Sequence, residues 1–141
     1  MGLLRTAVAG AGAVAAASLL GACGAADRGD VSSAAQRFYD AVGSGDGSAA
    51  CLLLAAPTRA SLEQSAGKPC DRAVLEEHLP SGAADTGAVE VHGQMAMVRW
   101  AGDTTFLSRY AEGWLVYAAG CTSPPERATH ADRFDCTLQG G

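Results

Sequence analysis

The chain contains no asparagine and no isoleucine, and its ten basic side chains are nine arginines and one lysine, Lys68. That bias points to a GC-rich genome. Positive charge is scarce and scattered, with ten Lys+Arg against fifteen Asp+Glu for a net charge of −5. This argues against a duplex nucleic-acid partner, because nothing clusters basic charge to displace counterions from phosphates. Aromatic residues are few, at 6%, yet two Trp, three Tyr and three Phe still supply bulky material for a core. The sequence has no C-x-x-C, H-E-x-x-H or G-x-S-x-G motif and no acidic calcium loop. Those absences argue against a zinc site, a zincin, a nucleophile-elbow hydrolase and an EF-hand, and no cofactor or metal is expected.

What is abundant is alanine, with 30 of the 141 residues and the largest share of the 48% hydrophobic content. With only 18% charged residues, the composition is that of a folding chain and not of a disordered one. Arg5 is followed by no charged side chain until Asp27, so residues 6–26 form one neutral stretch of alanine, glycine and leucine. That pattern reads as an export signal. A membrane-spanning anchor needs about 20 strongly apolar residues, whereas this run is broken by glycines and has few large side chains. It ends in Leu20-Gly21-Ala22-Cys23, which resembles the lipobox of bacterial lipoproteins. The resemblance implies cleavage before Cys23, a lipid on its thiol, and anchoring at the outer face of the cell membrane. One acyl chain holds a protein only marginally, whereas two or three anchor it stably.

The expected organisation is therefore a signal peptide over residues 1–22, a lipidated Cys23 with a flexible tether over 23–30, and one small domain over 31–141. Gly10-Ala11-Gly12-Ala13-Val14-Ala15 fits a G-x-G-x-x-A dinucleotide fingerprint, but it lies inside the signal with no strand before it and carries no meaning there.

Four cysteines follow Cys23: Cys51, Cys70, Cys121 and Cys136. An even number in an oxidising compartment predicts two disulfides. Of the three pairings, the short-range one, Cys51 with Cys70 and Cys121 with Cys136, staples each half of the domain within itself.

The first half of the domain has helical periodicity. Ser33-Ala34-Ala35-Gln36 matches a capping box, and Val31, Ala35, Phe38 and Val42 share one helical face. Gly43-Ser44-Gly45-Asp46-Gly47 breaks that helix and offers Asp46 as the next N-cap. A second helix over residues 48–56 is expected to end at Pro57. A helical stretch over residues 58–66 stops at Gly67, and a last helix capped by Asp71 runs to Leu79, before Pro80. From Gly87 the period becomes 2. Val89 and Val91 alternate with Glu90 and His92, and strands are expected over residues 95–101, 104–110, 114–119 and 134–138. Gly102-Asp103 and Ala111-Glu112-Gly113 read as turns, and residues 122–133 as a loop. Helices followed by an antiparallel meander predict an α+β fold with the helices packed on one face of a curved sheet.

Phe38-Tyr39-Asp40-Ala41, Gly45-Asp46-Gly47, Met97-Val98-Arg99 and Glu112-Gly113-Trp114-Leu115-Val116 together resemble the NTF2-like (cystatin-like) superfamily. More narrowly, they are similar to small actinobacterial lipoproteins of unknown function that carry a late G-W-x-V strand followed by Ala-Ala-Gly-Cys. The resemblance covers about residues 31–141 and implies a cone of helices and bent sheet whose mouth can hold a ligand, an active site or a partner. It implies a fold and not a reaction.

An enzyme in such a cone needs an inward Asp or His with a polarising partner. His92 falls on the polar face of its strand beside Glu90, His78 lies at a helix end, and His130 lies in the proline-containing loop. Glu76 and Glu77 read as a hydrated helix face, and Asp40 as a surface residue. Arg99 and Arg109, at alternating strand positions, are candidates to meet across a hairpin as an anion-binding pair, although an outer sheet face with Glu90 or Glu112 is the favoured account of them. The sequence thus supports a non-catalytic envelope lipoprotein that binds a protein or a small ligand. The competing reading is a surface-anchored SnoaL-like or ketosteroid-isomerase-like enzyme. A buried polar dyad at the cone mouth would favour the enzyme, and an apolar, filled interior the binding module.

Overall fold

The computed structural model describes residues 22–80, 87–122 and 134–141. Four helices, α1 (Ala22–Gly43), α2 (Gly47–Leu52), α3 (Ala56–Ala66) and α4 (Cys70–Glu76), precede five strands. The strands are β1 (Ala88–His92), β2 (Met95–Trp100), β3 (Asp103–Tyr110), β4 (Gly113–Thr122) and β5 (Asp135–Gln139). Each strand pairs antiparallel with the next, in the order β1-β2-β3-β4-β5, so the sheet is an open meander. The class is α+β, as the change of period from 3.6 to 2 predicts.

One face of α1 carries Val31, Ala34, Ala35, Phe38 and Tyr39, all buried against the sheet. The sheet answers with Ala96, Val98, Leu107 and Val116. The alanines on α1 allow close approach, and Phe38 fills the centre. Burying a side chain of that size stabilises by about 1.5–3 kcal/mol. Register irregularities between Thr104 and Leu107 break the even pairing of β3 with β4, and bulges of this kind increase local twist and bend the strand. No described helix is long and apolar enough to cross a membrane.

Several boundaries differ from the sequence expectation, each for a physical reason. Ser33 does not cap α1, because the helix begins at Ala22 and runs through it. Residues 24–30, read as a flexible tether, are accordingly helical, and Asp27 forms an ion pair with Arg109. Pro57 opens α3 instead of ending α2, since the first helical turn needs no N–H from it. The chain leaves the helical path earlier, because Val116 donates its N–H to the Leu53 carbonyl and accepts from the Ala55 N–H, both at 2.8 Å. This bridge clamps the α2–α3 junction to the middle of β4.

Asp46 caps α2, accepting from the Ala49 N–H at 2.9 Å, and Gly67 ends α3 with φ of 64°. Asp71 sits in the first turn of α4 behind an N-cap at Pro69, and α4 stops at Glu76, short of Leu79. The hairpin after β2 turns at Ala101-Gly102, with Gly102 at φ +86°, and not at Gly102-Asp103. That shift of one residue moves Asp103 into β3 opposite Trp100. Residues 123–133, most of the expected proline-containing loop, and His130 with them, lie outside the described residues.

Candidate functional site

Position in the strand decides which way Asp103 faces. Asp103, Thr105 and Leu107 alternate along β3 and pair with Trp100, Val98 and Ala96 of β2, so all three belong to the face that packs on the helices. Asp103 is 6% exposed and Tyr39, reaching it from α1, is 3% exposed. The Tyr39 hydroxyl donates to Asp103 Oδ2. With its proton committed there, Tyr39 Oη accepts from the Thr105 hydroxyl at 2.9 Å and from the Gly120 N–H at 3.4 Å. Thr105 Oγ1 in turn accepts from Trp100 Nε1 at 3.3 Å. The result is a directed chain, Trp100 to Thr105 to Tyr39, ending on a carboxylate.

Burial raises the pKa of Asp103 above the ordinary 3.8. The Tyr39 hydrogen bond and the amides of Cys121, Thr104 and Gly120, which face the carboxylate, oppose that rise without cancelling it. Burial first, and then the hydrogen bond to Asp103, push the Tyr39 phenol upward, so it stays protonated and acts as a donor. Asp103 Oδ1 is closed to solvent and no N–H or O–H reaches it in hydrogen-bond geometry among the described residues. This cluster ties α1 to one end of the sheet.

The disulfides are Cys51–Cys70, joining α2 to α4, and Cys121–Cys136, joining facing positions of β4 and β5. Their Cα separations are 6.1 Å and 3.9 Å. Cys23 lies in the first turn of α1.

Arg99 and Arg109 do not meet. Arg99 pairs opposite Thr104 and reaches Glu90 at 2.8 Å on the outer face of the sheet. Arg109 lies at the far end of β3, opposite Trp114, where its guanidinium carbon stands 4.8 Å from the centre of the Trp114 ring. Strand register separates them: residues ten apart on two hairpin arms face one another only when the turn lies midway between them, and this turn lies next to Arg99. His92 points to solvent, its side chain 81% exposed, with Glu90 3.8 Å away. His78 follows α4 in the left-handed region, with φ of 48°. Glu76 is exposed and pairs with Lys68 at 2.6 Å, and Asp40 is exposed on α1. Among the described residues no three His, Cys, Asp or Glu side chains converge in a way that could hold a metal ion.

No protein-family model, curated protein or solved structure matches this chain. The site therefore stands on its own geometry.

Between α1 and the β3–β4 hairpin lies a surface groove of about 500 Å³, lined by Asp30 and Arg37 of α1, Leu52 of α2, and Glu112, Trp114 and Leu115. A second groove, about 320 Å³, opens on the outer sheet face between Met95, Phe106, Tyr117 and Phe134. Sequence reasoning missed both the Tyr39–Asp103 pair and the first groove. Period 2 through Thr105 and Leu107 carried the signal for Asp103, but Gly-Asp as a turn dipeptide masked it. No local pattern announces the groove, because its walls come from three separate elements.

Proposed function

We propose that this chain is an envelope lipoprotein, cleaved before Cys23 and held by lipid at the outer face of the cell membrane, whose α+β domain is a non-catalytic binding module of NTF2-like architecture. The observation that carries the reading is the division of the cysteines. The four that follow Cys23 form two disulfides within the domain, as suits an oxidising compartment, while Cys23 stands apart behind Leu20-Gly21-Ala22. A filled interior supports the binding role: Phe38, Leu54, Leu107, Val98 and Val116 occupy the space between helices and sheet. Ligand contacts then fall to the surface grooves. Replacing Cys23 with Ser tests the anchor. The variant is expected in the soluble fraction with its domain folded and its mass free of lipid; a variant that stays with the membrane overturns the lipoprotein reading.

The Tyr39–Asp103 pair is the one observation that favours the competing enzyme reading, since a carboxylate with a tyrosine donor is the kind of dyad proton abstraction uses. Its free oxygen, however, is sealed from solvent, so a substrate has no path to it. The pair is better explained as a polar lock between α1 and the sheet.

A further inference from the structure

Helix α1 is fixed to strand β3 at two points, and the two contacts set its direction. Asp103, Thr105, Leu107 and Arg109 alternate along β3, so their side chains leave the same face of the sheet. Tyr39 of α1 bonds to Asp103 at one end of that row, and Asp27 of α1 pairs with Arg109 at the other. The spacings agree. Twelve positions separate Asp27 from Tyr39 and six separate Asp103 from Arg109, about 18 Å of helix rise and about 20 Å of strand. Helix α1 therefore runs antiparallel to β3. The Asp27 contact is braced from behind. The Arg109 guanidinium carbon stands 4.8 Å from the centre of the buried Trp114 ring, and the Arg109 N–H donates to the Gln94 carbonyl at 2.9 Å. Val31, one turn further along α1, is fully buried. Only four positions separate Cys23 from Asp27, about 6 Å of helix rise and about 14 Å even if that turn were drawn out straight.

We infer that the anchored domain stands on the bilayer in one orientation, with the β3–β4 turn at Ala111-Glu112 against the headgroup layer and the β2–β3 turn at Ala101-Gly102 pointing away from it. The inference rests on the lipoprotein reading for the anchor itself. The lipid is attached within one helical turn of the Asp27–Arg109 pair, and Arg109 lies at the β3–β4 end of its strand. The opposite end of β3 is then about 20 Å further out. A helix laid flat on a membrane needs an apolar face to bury in it. The outward face of α1 instead carries Arg28, Asp30, Ser33, Gln36, Arg37 and Asp40, all exposed, so nothing holds the helix down. The membrane-facing end is polar as well, with Ala111, Glu112 and Arg28 exposed. It rests on headgroups without entering the hydrocarbon, and it asks for no particular lipid.

The test uses the protein extracted from the membranes of its host, labelled with ¹⁵N and reconstituted into phosphatidylcholine nanodiscs that contain a gadolinium-chelate headgroup lipid. Paramagnetic broadening of backbone amides falls steeply with distance from the bilayer. It is expected to be at least about tenfold greater at Ala111 and Glu112 than at Ala101 and Gly102, given their separation along β3. Asp27→Asn and Arg109→Gln each release the segment between Cys23 and Val31, a linker with a root-mean-square reach of about 15 Å. Each should cut that contrast at least about threefold while the chain stays on the nanodisc. Asp27 and Arg109 are partly exposed, and an unchanged circular dichroism spectrum verifies the fold of each variant. Equal broadening at the two turns, or greater broadening at Ala101-Gly102, in a chain whose mass includes the lipid overturns the proposal and leaves the anchor standing. Full contrast in both variants overturns the ion pair as the fixing contact. A chain whose mass includes no lipid overturns the lipoprotein reading and this proposal with it.

Discussion

Replacing Tyr39 with Phe removes one oxygen from the polar lock and leaves the ring between Phe38 and Trp100, whose centroids lie 5.3 Å and 6.1 Å away. Packing is retained, so the loss isolates the hydrogen bond to Asp103. A hydrogen bond to a charged group is worth about 1.5–3 kcal/mol, and the site is buried, so a loss of about 2–3 kcal/mol at pH 7 is expected. The sign of the pH dependence follows from Asp103. Its pKa in the folded chain is raised above 3.8 by burial, so the native state binds this proton more tightly than the unfolded one. The contribution of Asp103 to stability is therefore greatest at acid pH and declines as pH rises through its folded value, by about 1.4 kcal/mol per unit of separation. Removing the Tyr39 donor makes the charged form still less favourable. The cost of Tyr39→Phe should accordingly be smaller at pH 4.5 than at pH 7. Asp103→Asn keeps an acceptor for Tyr39 and removes the charge, so it should flatten this slope and match or exceed the wild type at pH 7. Urea unfolding followed by tryptophan fluorescence at both pH values measures each quantity. An equal Tyr39→Phe cost at the two pH values, or an unchanged slope in Asp103→Asn, would refute the assignment of Asp103 as the titrating partner.

Other perturbations probe the rest of the fold. A methyl group on Gly47 would lie 1.8 Å from the Asp71 carbonyl oxygen, so Gly47→Ala must push α2 from α4; a loss of about 1–3 kcal/mol is expected in urea unfolding, and wild-type stability would show that the contact yields freely. Cys121→Ser opens a link of sequence separation 15 and should cost about 3 kcal/mol while exposing one reactive thiol at Cys136. Thiol titration of the native variant checks this, and finding no new thiol would contradict the pairing. Arg99→Ala should cost less than about 1 kcal/mol, because the Arg99–Glu90 pair is half-exposed; a larger loss of thermal stability would mean that Arg99 does more than lie on the outer face.

The order of elements was legible because each rests on a local rule. Val31, Ala35 and Phe38 mark the buried face of α1, Asp46 caps α2, and the valines of β1 alternate with Glu90 and His92. Boundaries failed where a distant partner overrode local preference. Nothing within residues 53–55 predicts that Val116, about sixty residues later, claims their backbone. The capping box at Ser33 was a valid local signal that a longer helix simply ran through. The candidate sites fared less well for the same reason: Tyr39 and Asp103 are 64 positions apart, and the groove draws on α1, α2 and β4. The one-residue error in the hairpin turn was enough to turn Asp103 from the core to the surface.

The nearest-neighbour meander and the two short disulfide spans also set an order of events for a chain that emerges N-terminus first. Each strand finds its partner in the strand just before it, and each cysteine closes with the next one along the domain, so no segment waits long for a remote mate and oxidation follows elongation without reshuffling. Contacts between the helices and the sheet break that rule, among them the backbone clamp of residues 53–55 on Val116 and the lock of Tyr39 on Asp103. Both require helices made early to be met by strands made late. These two junctions are therefore among those where helical and sheet halves commit to one another, and substitutions there should slow folding, whereas changes at the β4–β5 disulfide should speed unfolding.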